Sequence, residues 1–399
     1  MKIAVIGAKT MPPQQGGIEH VCAEIYPRIV ASGHLVDLYT RASDDQQALS
    51  RRQSSPRYFR GVRVILLPGI DFRGLSAVST SLLGALSAAH GHYDIIHFHA
   101  IGPSLFSSVV RAIAPHQKIV VTCHGLDWKR DKWGKLAKRY LRFSEGAAVR
   151  FADEIVVVSK ELQAYFQTTY QRETIYIPNA AARYAHSDPN LSYCSQLGLD
   201  QGRYIVFLGR LVPEKCPDLL IRAFQSLRPA GWKLAIVGQA SDTCRYADHL
   251  RQLSADDPAI VFTNELRGSR LAEVMRGAGL FVLPSRVEGM PLAMLEAMAE
   301  GIPVLASDIG PHQTLLGTKQ GLLFETDSLE SCIHQLDWAL QNPKKMAVFA
   351  RNAERFIQKH HTWKSVTAQT LKLYESLLVP PIEATYGAAQ ETADSSASR

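Results

Sequence analysis

The sequence predicts an α/β protein with two doubly wound parallel sheets. Along its 399 residues, twelve short runs of apolar and mostly β-branched residues alternate with stretches of helical character. Nearly continuous apolar strands separated by helices are typical of parallel sheets that are covered on both faces. Twelve strands are too many for one ordinary open sheet, and at roughly 150 residues per domain the length suits two large domains.

The predicted strands divide into two sets. The first set is Ile3–Ile6, Leu35–Tyr39, Val62–Leu67, Asp94–His99, Ile119–Cys123, Ile155–Val158 and Thr174–Ile177, and the second is Tyr204–Leu208, Leu234–Val237, Ile260–Phe262, Leu280–Leu283 and Pro303–Ala306. Residues 181–202 are rich in turn-forming residues without a sustained period, which indicates a linker. We therefore expect domains at 1–180 and 203–360, with a C-terminal helix at 362–378 that joins the first domain. Residues 380–399 carry little apolar surface, which predicts a disordered tail.

Composition excludes several classes of protein. With 46% hydrophobic and 20% charged residues, the chain is neither disordered nor fibrous. Its six cysteines form no C-x-x-C pair and no apolar run reaches about 18 residues, so we expect a cytoplasmic protein whose membrane contact, where it occurs, is peripheral. Residues 1–180 hold 22 basic and 14 acidic side chains, a net charge of +8, whereas the remainder has a net charge of −1. This asymmetry favours an anionic partner for the first half over solubility charge alone.

A glycine pair stands at the first predicted helix. The first strand leads into a loop that ends at Gly16 and Gly17, and a helix follows from about Ile18 to Ala31. Amides at a helix N-terminus, next to glycines that lack a Cβ, suit a phosphate group. The pattern is neither G-x-G-x-x-G nor a P-loop, which argues against a dinucleotide or ATP site, and a plain turn is the alternative.

The segment 279–310 gives the strongest signal. A predicted strand ends at Pro284, and we expect the next helix to begin at Pro291 and to end before Gly301. Glu288 then precedes that helix and Glu296 lies in its second turn. Both carboxylates would project beyond the carboxyl ends of the strands, where open α/β sheets bind ligands.

Backbone donors lie beside these carboxylates. The amides of Met290 and Leu292 can donate at the helix N-terminus, whereas Pro291 has no N–H. Carboxylates beside such a helix end suit a ligand with both hydroxyls and phosphate, such as a nucleotide sugar. The alternative is a helix cap at Glu288 and a surface charge at Glu296.

Two cations follow the first strand of the second set. Arg210 and Lys215 lie in GRLVPEKC, directly after the strand that ends at Leu208. At the carboxyl end of a parallel strand, they would neutralise the charge that develops on a diphosphate leaving group. A solvated pair of surface cations is the alternative.

In combination, these features resemble the retaining glycosyltransferases of family 4, which have the GT-B fold of two facing Rossmann-like domains around a donor and acceptor cleft. The E-x7-E spacing from Glu288 to Glu296 is similar to the family signature. Further segments resemble family segments in the family's order, namely GGIE (16–19), VTCHGLDW (121–128), ADEIVVVS (152–159), IPNA (177–180) and GRLVPEK (209–215).

The resemblance implies a role for residues on both sides of the cleft. Glu296 would bind the donor ribose, Glu288 would bind a hydroxyl of the transferred sugar, and His124 would lie near that sugar. The diphosphate would be held by the side chains of Arg210 and Lys215 and by the amides of Gly16 and Gly17.

Two positions depart from the family pattern. Cys216 stands where glycine is common, and Thr314 stands where many members have glutamate. The second departure leaves the details of the donor pocket open.

The resemblance also implies a metal-independent reaction, in which the leaving phosphate receives the acceptor proton. No Asp-x-Asp occurs in the crevice loops, which agrees with that mechanism. Histidines crowd at positions 90, 92, 97 and 99, which is a pattern that can indicate metal binding. The run DIIHFH is nevertheless similar to a core strand of the family, so we expect neither a metal nor another cofactor.

We therefore expect an enzyme that moves a sugar from a nucleotide-sugar donor to a glycan or lipid-linked glycan, in bacterial envelope or exopolysaccharide biosynthesis. The competing hypothesis is a non-catalytic scaffold of the same fold that binds a sugar nucleotide or a polyanion.

One segment indicates a surface for the acceptor or for membrane. Residues 128–142 contain seven basic side chains and one acidic side chain, with apolar residues at helical spacings. A basic amphipathic helix suits anionic lipid or a lipid diphosphate, and no nucleic-acid motif accompanies it. A helix that is merely solvated is the alternative. The candidate contacts are Trp128, Lys129, Arg130, Lys132, Trp133, Lys135, Lys138 and Arg139.

Overall fold

The computed structural model describes residues 1–14, 16–42, 56–69, 75–130, 133–240, 244–255 and 257–379. Two α/β sheets organise these residues, as the strand pattern predicts. The first contains β1 (Lys2–Ile6), β2 (Leu35–Arg41), β3 (Arg57–Phe59), β4 (Val62–Leu67), β5 (Ile95–His99), β6 (Lys118–Cys123), β7 (Glu154–Val157) and β8 (Ile175–Tyr176). The second contains β9 (Tyr204–Leu208), β10 (Lys233–Val237), β11 (Ile260–Asn264), β12 (Leu280–Leu283), β13 (Val304–Ser307) and β14 (Leu322–Phe324).

Helices connect successive strands and cover the sheets. Those of the first half are α1 (Gly17–Ala31), α2 (Leu75–His90), α3 (Ile101–Ser104), α4 (Ser107–Ile113), α5 (Lys135–Phe151) and α6 (Lys160–Tyr170). Those of the second half are α7 (Ser192–Gln196), α8 (Pro217–Leu227), α9 (Cys244–Leu253), α10 (Gly268–Arg276), α11 (Leu292–Ala299), α12 (Gly310–Leu316), α13 (Leu329–Gln341), α14 (Pro343–His360) and α15 (Trp363–Leu378). Two 3₁₀ turns, Asp127–Lys129 and Pro213–Lys215, lie in loops.

The strand order of each sheet creates a crevice. In the second sheet the order is β11-β10-β9-β12-β13-β14, and all neighbours are parallel. The direction of winding reverses between β9 and β12, and ligands of such sheets bind at the carboxyl ends of the strands beside this reversal. The first sheet has the order β3-β4-β2-β1-β5-β6-β7-β8, with β3 antiparallel to β4, and reverses between β1 and β5.

Both faces of the first sheet are buried. Along β1, Ile3 and Val5 belong to the core under α1 and α15, whereas Ala4 and Ile6 belong to the core on the opposite face. All four side chains are at most 1% exposed. The continuous apolar character of the strand therefore has a direct cause, because helices cover the sheet on each side.

Two strands were not predicted from the sequence. Both β3 and β14 are three residues long and lie at the edges of their sheets. Runs this short carry no periodic signal, so only their pairing with a neighbouring strand identifies them.

Two helix predictions need correction. The helix expected to begin at Pro291 begins at Leu292, because Pro291 has extended backbone angles (φ −77°, ψ 105°) and is the N-cap. Gly301 lies beyond the helix end with a φ of +69°, as the sequence predicts. The single amphipathic helix predicted over 128–142 is wrong, since residues 127–129 form a 3₁₀ turn and α5 begins only at Lys135.

The chain crosses back to the first sheet at its C-terminal helix. After α14 beside the second sheet, α15 packs against α1, and Leu373 and Tyr374 join the core beneath β1. This packing supports the grouping of 362–378 with the first domain, although the domain limits themselves stay a prediction. The predicted disordered tail, 380–399, lies outside the described residues. Among the residues described, no helix is both long and apolar enough to cross a membrane.

The packing of α15 leads to a stability prediction. Replacement of Leu373, which is 6% exposed, by alanine should lower the free energy of unfolding by about 2–5 kcal/mol, because the change leaves a cavity in the core. Urea denaturation followed by circular dichroism measures this loss. Leu378→Ala on the same helix is the control, because Leu378 is 38% exposed and should change stability by about 0.5 kcal/mol or less. Equal effects of the two substitutions would contradict the assignment of α15 to the core.

Candidate active site between the two sheets

Charged side chains from the second sheet gather at its crevice. Arg210 and Lys215 follow β9, and Glu288 follows β12, which is the strand on the other side of the reversal. The structure therefore brings together the three side chains that the sequence places at strand ends. Lys215 and Glu288 form an ion pair, and only 17% and 10% of their side chains are exposed.

Glu288 is held in its ionised form. Its Oε1 accepts hydrogen bonds from the Lys215 ammonium and, at 2.8 Å, from the hydroxyl of Ser285. Burial opposes ionisation, but the Lys215 ammonium, His312 and the Ser285 hydroxyl outweigh burial, and the pKa of Glu288 lies below its ordinary value. Glu288 is therefore an acceptor at neutral pH. Ser285 was not predicted from the sequence, because its role depends on the turn that follows β12.

Glu296 has a different environment. It lies in the second turn of α11, and the hydroxyl of Tyr184, from the segment between the sheets, donates to its Oε2 at 3.1 Å. Burial raises the pKa of Glu296 to about 7, with further contributions from the carboxylates of Glu24 and Glu300. Glu24 belongs to α1, so a charge of the first domain contributes to the electrostatic environment of Glu296. Nothing in the spacing of the sequence pointed to Tyr184.

The N-terminus of α11 stands beside these carboxylates. Met290 is 6% exposed, Pro291 is the N-cap, and Leu292 provides the first amide of the helix. The first amides of a helix have no partner within it, which leaves them available to a ligand. On the first domain, Gly17 faces this point, since a Cβ built on it would lie 3.4 Å from Leu292 Cδ1.

The glycine pair of the first domain opens α1. Gly16 is the N-cap with a φ of +99°, a conformation that side chains disfavour, and Gly17 is the first helical residue. The carboxylate of Glu19 accepts from the Lys9 amide at 3.0 Å, which ties the preceding loop to the helix. Burial raises the pKa of Glu19. The sequence indicated no separate role for Glu19, although Glu19 is the last residue of GGIE.

The two domains touch through main-chain atoms. A Cβ built on Gly289 would lie 1.9 Å from the carbonyl oxygen of His124, so no larger residue fits. Gly289 follows Glu288 directly, and His124 follows β6. The contact therefore places the histidine of one domain next to the glutamate loop of the other.

His124 is neutral and held by a second histidine. Its Nε2 lies 2.9 Å from Nδ1 of His99, and the rings stack with centroids 5.2 Å apart. Burial and the Arg130 guanidinium lower the pKa of His124 to about 4. Arg130 pairs with Asp127 at 3.1 Å and, after burial, is the main cause that lowers the pKa of Arg210. Arg130 thus belongs to the cleft rather than to a distant surface.

The rest of the predicted basic segment divides into two parts. Trp128 is anchored inward, because its Nε1 donates to the buried Glu145 at 3.1 Å and the Arg142 guanidinium lies 4.4 Å from its ring. Lys129 is exposed beside it, and Trp133 is half-buried before α5. Lys132 lies outside the described residues.

The first turns of α5 carry the outward part of this segment. Lys135 and Arg139 are exposed and Lys138 is half-buried. The same helix carries two largely exposed apolar side chains, Leu136 (85% exposed) and Phe143 (70% exposed). This face is therefore basic and apolar together.

Of the four crowded histidines, His97 and His99 bond to hydroxyls and to His124, whereas His90 bonds to the carbonyl oxygen of Leu86. His97 and His99 share one face of β5, and each ring nitrogen of both has a hydrogen-bond partner. Within the described ranges, no three His, Cys, Asp or Glu side chains come together as a metal-ligand set.

The two departures from the family pattern have different surroundings. Cys216 is buried, has a φ of +49° and ends the turn that carries Lys215. Thr314 donates to Glu161 Oε1 at 2.9 Å, and Glu161 belongs to α6 of the first domain. The Thr314 hydroxyl of the second domain is therefore hydrogen-bonded to a carboxylate of the first domain.

Comparisons with known proteins match both halves of the chain. A family model described as glycosyl transferases group 1 matches residues 195–356, and one described as glycosyltransferase family 4 matches residues 15–181. D-inositol 3-phosphate glycosyltransferase from Gordonia bronchialis is 29% identical over an alignment of 411 positions that covers 94% of this chain and 88% of that protein.

Solved structures share the fold. HepE from Anabaena, crystallised with UDP and glucose, superposes with a TM-score of 0.77 at 20% identity, over 94% of this chain and all of that one. Sucrose-phosphate synthase from Thermosynechococcus elongatus superposes with a TM-score of 0.78 at 22% identity, over 94% and 98%. With both halves matched in order and the two-sheet fold in place, the chain belongs to the family 4 type of glycosyltransferases with the GT-B fold.

Proposed function

We propose that this glycosyltransferase takes a sugar from a nucleoside diphosphate donor, retains its anomeric configuration, and passes it to a glycan or lipid-linked glycan of the bacterial envelope or of an exopolysaccharide. The observation that carries the proposal is the cleft, where Arg210, Lys215 and Glu288 of one sheet meet His124 and the α1 N-terminus of the other.

The diphosphate fits between cations and amides. Lys215 has three N–H donors, so it can keep its bond to Glu288 while donating to a phosphate. Arg210 and the amides of Gly16 and Gly17 add positive charge at the same place. In a partly buried site, this charge stabilises the leaving diphosphate as its charge grows. We propose that it does so without a metal ion.

The two glutamates suit the two polyols of such a donor. Glu288, ionised and fixed by Ser285 and Lys215, can accept from a hydroxyl of the transferred sugar. Glu296 has one oxygen bonded to Tyr184, and the carboxylate can accept from the ribose hydroxyls. HepE, which shares the fold, was crystallised with UDP and glucose.

Retention requires the acceptor to approach on the face that the diphosphate leaves. The cations hold the leaving phosphate on that face, where its oxygen can take the proton of the attacking hydroxyl. Hydrolysis of the donor in the absence of acceptor distinguishes this enzyme from a non-catalytic scaffold, which would release no sugar. Proton NMR of the transferred product gives its anomeric configuration, and inversion would refute the proposed stereochemistry.

A phosphorylated polyol is a second candidate acceptor. The relative from Gordonia bronchialis is named a D-inositol 3-phosphate glycosyltransferase, and the similarity extends over 94% of this chain. Arg130, which lies at the cleft beside His124, could pair with an acceptor phosphate. Transfer assays with inositol 3-phosphate and with a lipid-linked glycan decide between the two.

The outward face of α5 suits an anionic membrane. Leu136 and Phe143 could enter the headgroup region while Lys135, Lys138 and Arg139 pair with lipid phosphates. Such docking would bring a lipid-linked acceptor to the first domain.

Donor affinity should depend on the ionisation of Glu296. Because its pKa is raised to about 7, the accepting carboxylate predominates above pH 7 and is lost as the pH falls. The affinity for an intact nucleotide sugar should therefore fall by about tenfold per pH unit below pH 7, while Glu296→Gln should bind weakly at all these pH values. Calorimetric titration between pH 5.5 and 8.5 with UDP-, GDP- and ADP-sugars measures this. A Glu296→Gln variant that binds like the wild type would refute the ribose contact.

Turnover should depend on the two cations. Arg210→Ala and Lys215→Ala should each lower kcat by about two orders of magnitude or more with a smaller effect on donor KM, because charge on the leaving diphosphate grows during the reaction. Arg222→Ala, at an exposed position of α8, is the matched control and should keep wild-type kcat. If both cleft variants turn over normally, the electrostatic role is wrong.

Membrane docking should depend on α5. Replacement of Lys135, Lys138 and Arg139 by Gln together with Leu136→Ser should release the protein from anionic liposomes, since each cation near the surface contributes about 1 kcal/mol and salt screens it. Donor hydrolysis should persist. The control replaces Arg351, Arg355 and Lys359 of α14 by Gln and should still sediment with liposomes. If the α5 variant still sediments with anionic liposomes at low salt as the control does, α5 is not the docking face.

A further inference from the structure

A chain of hydrogen bonds runs from the cleft into the core of the first domain. From His124 it passes to His99 (2.9 Å), then to the hydroxyl of Tyr26 on α1 (2.6 Å from His99 Nε2), and then to His97 Nδ1 (3.0 Å). His97 Nδ1 also lies 2.5 Å from the hydroxyl of Tyr374 on α15, and its Nε2 lies 2.7 Å from the hydroxyl of Thr122.

The imidazoles of this chain are neutral. Each ring therefore carries one N–H proton, which can lie on either Nδ1 or Nε2. Burial lowers the pKa of His97 to about 3, that of His99 well below its usual range, and that of His124 to about 4. A neutral imidazole has one N–H donor and one bare nitrogen that accepts.

The shortest contacts of the chain give it a direction. Of the two phenols near His97 Nδ1 that of Tyr374 is the nearer, and the Tyr26 hydroxyl lies nearer to His99 Nε2 than to His97, although it is also within hydrogen-bond reach of the Tyr374 hydroxyl. We assign each phenol proton to its nearest nitrogen, so that Tyr374 donates to His97 and Tyr26 donates to His99. His97 then carries its proton on Nε2 and donates to Thr122.

The consequence reaches the cleft. With Nε2 of His99 bare, its proton lies on Nδ1 and is donated to Nε2 of His124. His124 must then carry its own proton on Nδ1. That nitrogen bonds to no group in the described part of the chain, and the ring is only partly buried.

We propose that Tyr26, His99 and Tyr374 are positioning residues that fix His124 as the Nδ1–H tautomer, so that the site presents a hydrogen-bond donor, rather than an acceptor, to an oxygen of the bound sugar. The inference rests on the proposed function, because it assigns His124 to the donor sugar. It adds that α1 and α15, which supply the two phenols, determine the hydrogen-bonding character of the cleft.

The first test reads the tautomer without measuring activity. In protein labelled with ¹⁵N-histidine, protonated and bare ring nitrogens have separate chemical shifts, and loss of signals in His124→Gln identifies those of His124. The wild type should show a protonated Nδ1. Tyr26→Phe should shift His124 to a mixture of tautomers or to the Nε2–H form. Tyr374→Phe should cause a smaller shift, because the Tyr26 hydroxyl can then donate to either His97 or His99. An unchanged spectrum in Tyr26→Phe would overturn the proposal.

The second test reads transfer kinetics. Tyr26→Phe should lower kcat/KM by about tenfold, as expected for one lost hydrogen bond. His99→Asn should stay within about threefold of the wild type, because the Asn amide can still donate to His124, whereas His99→Leu should fall as Tyr26→Phe does. Wild-type kinetics in His99→Leu would contradict the proposal.

Controls separate this proposal from the proposed function. Tyr93→Phe removes another buried phenol, which donates to Asp37 at 2.5 Å elsewhere in the same sheet, and should leave the His124 signals unchanged. A His124→Gln variant with full activity would remove His124 from the transfer reaction, whereas the ¹⁵N spectra would still report its tautomer. Conversely, His124→Gln could be inactive while Tyr26→Phe keeps the wild-type ¹⁵N spectrum and kinetics. That result would leave the role of His124 in transfer in place and would refute the proposal that Tyr26 sets its tautomer.

Discussion

The contact between the His124 carbonyl and Gly289 sets the geometry on which the rest of the cleft depends. It joins main-chain atoms of the two domains, and a Cβ at residue 289 would lie 1.9 Å from the oxygen. Because the residue before Gly289 is Glu288, the contact fixes how far the histidine side of the cleft lies from the carboxylate side. Gly17 against Leu292 and Thr314 against Glu161 are further points at which the domains meet.

Within this geometry, two carboxylates of the cleft are paired with cations. Glu288 is paired with Lys215, and Arg130 with Asp127, so neither carboxylate is buried without a cation. Burial and Arg130 lower the pKa of Arg210, whereas Glu214, Glu288 and Asp127 raise it. An anion bound between Arg210 and α1 would add a further negative charge that favours the charged guanidinium.

The sequence predicted the features that arise from local pattern. The strand positions, the place of Gly301 after a helix end, and the strand-end location of Arg210 and Lys215 all follow from periodicity and turn chemistry. Contacts between distant segments were missed. Trp128 is predicted as a surface contact, but its side-chain N–H is donated to Glu145 of α5. Tyr184 and His99 acquire their roles only through partners 112 and 25 residues away. The three-residue strands β3 and β14 likewise exist through their neighbours.

The return of α15 to the first sheet has a consequence for biosynthesis. Residues 363–378 are translated after the whole second sheet, yet Trp363, Leu373 and Tyr374 complete the core beneath β1, the first strand made. The domain that leaves the ribosome first is therefore finished last, and α1 keeps an apolar face uncovered while residues 204–360 are synthesised. Such a face is a natural binding site for a chaperone during that interval.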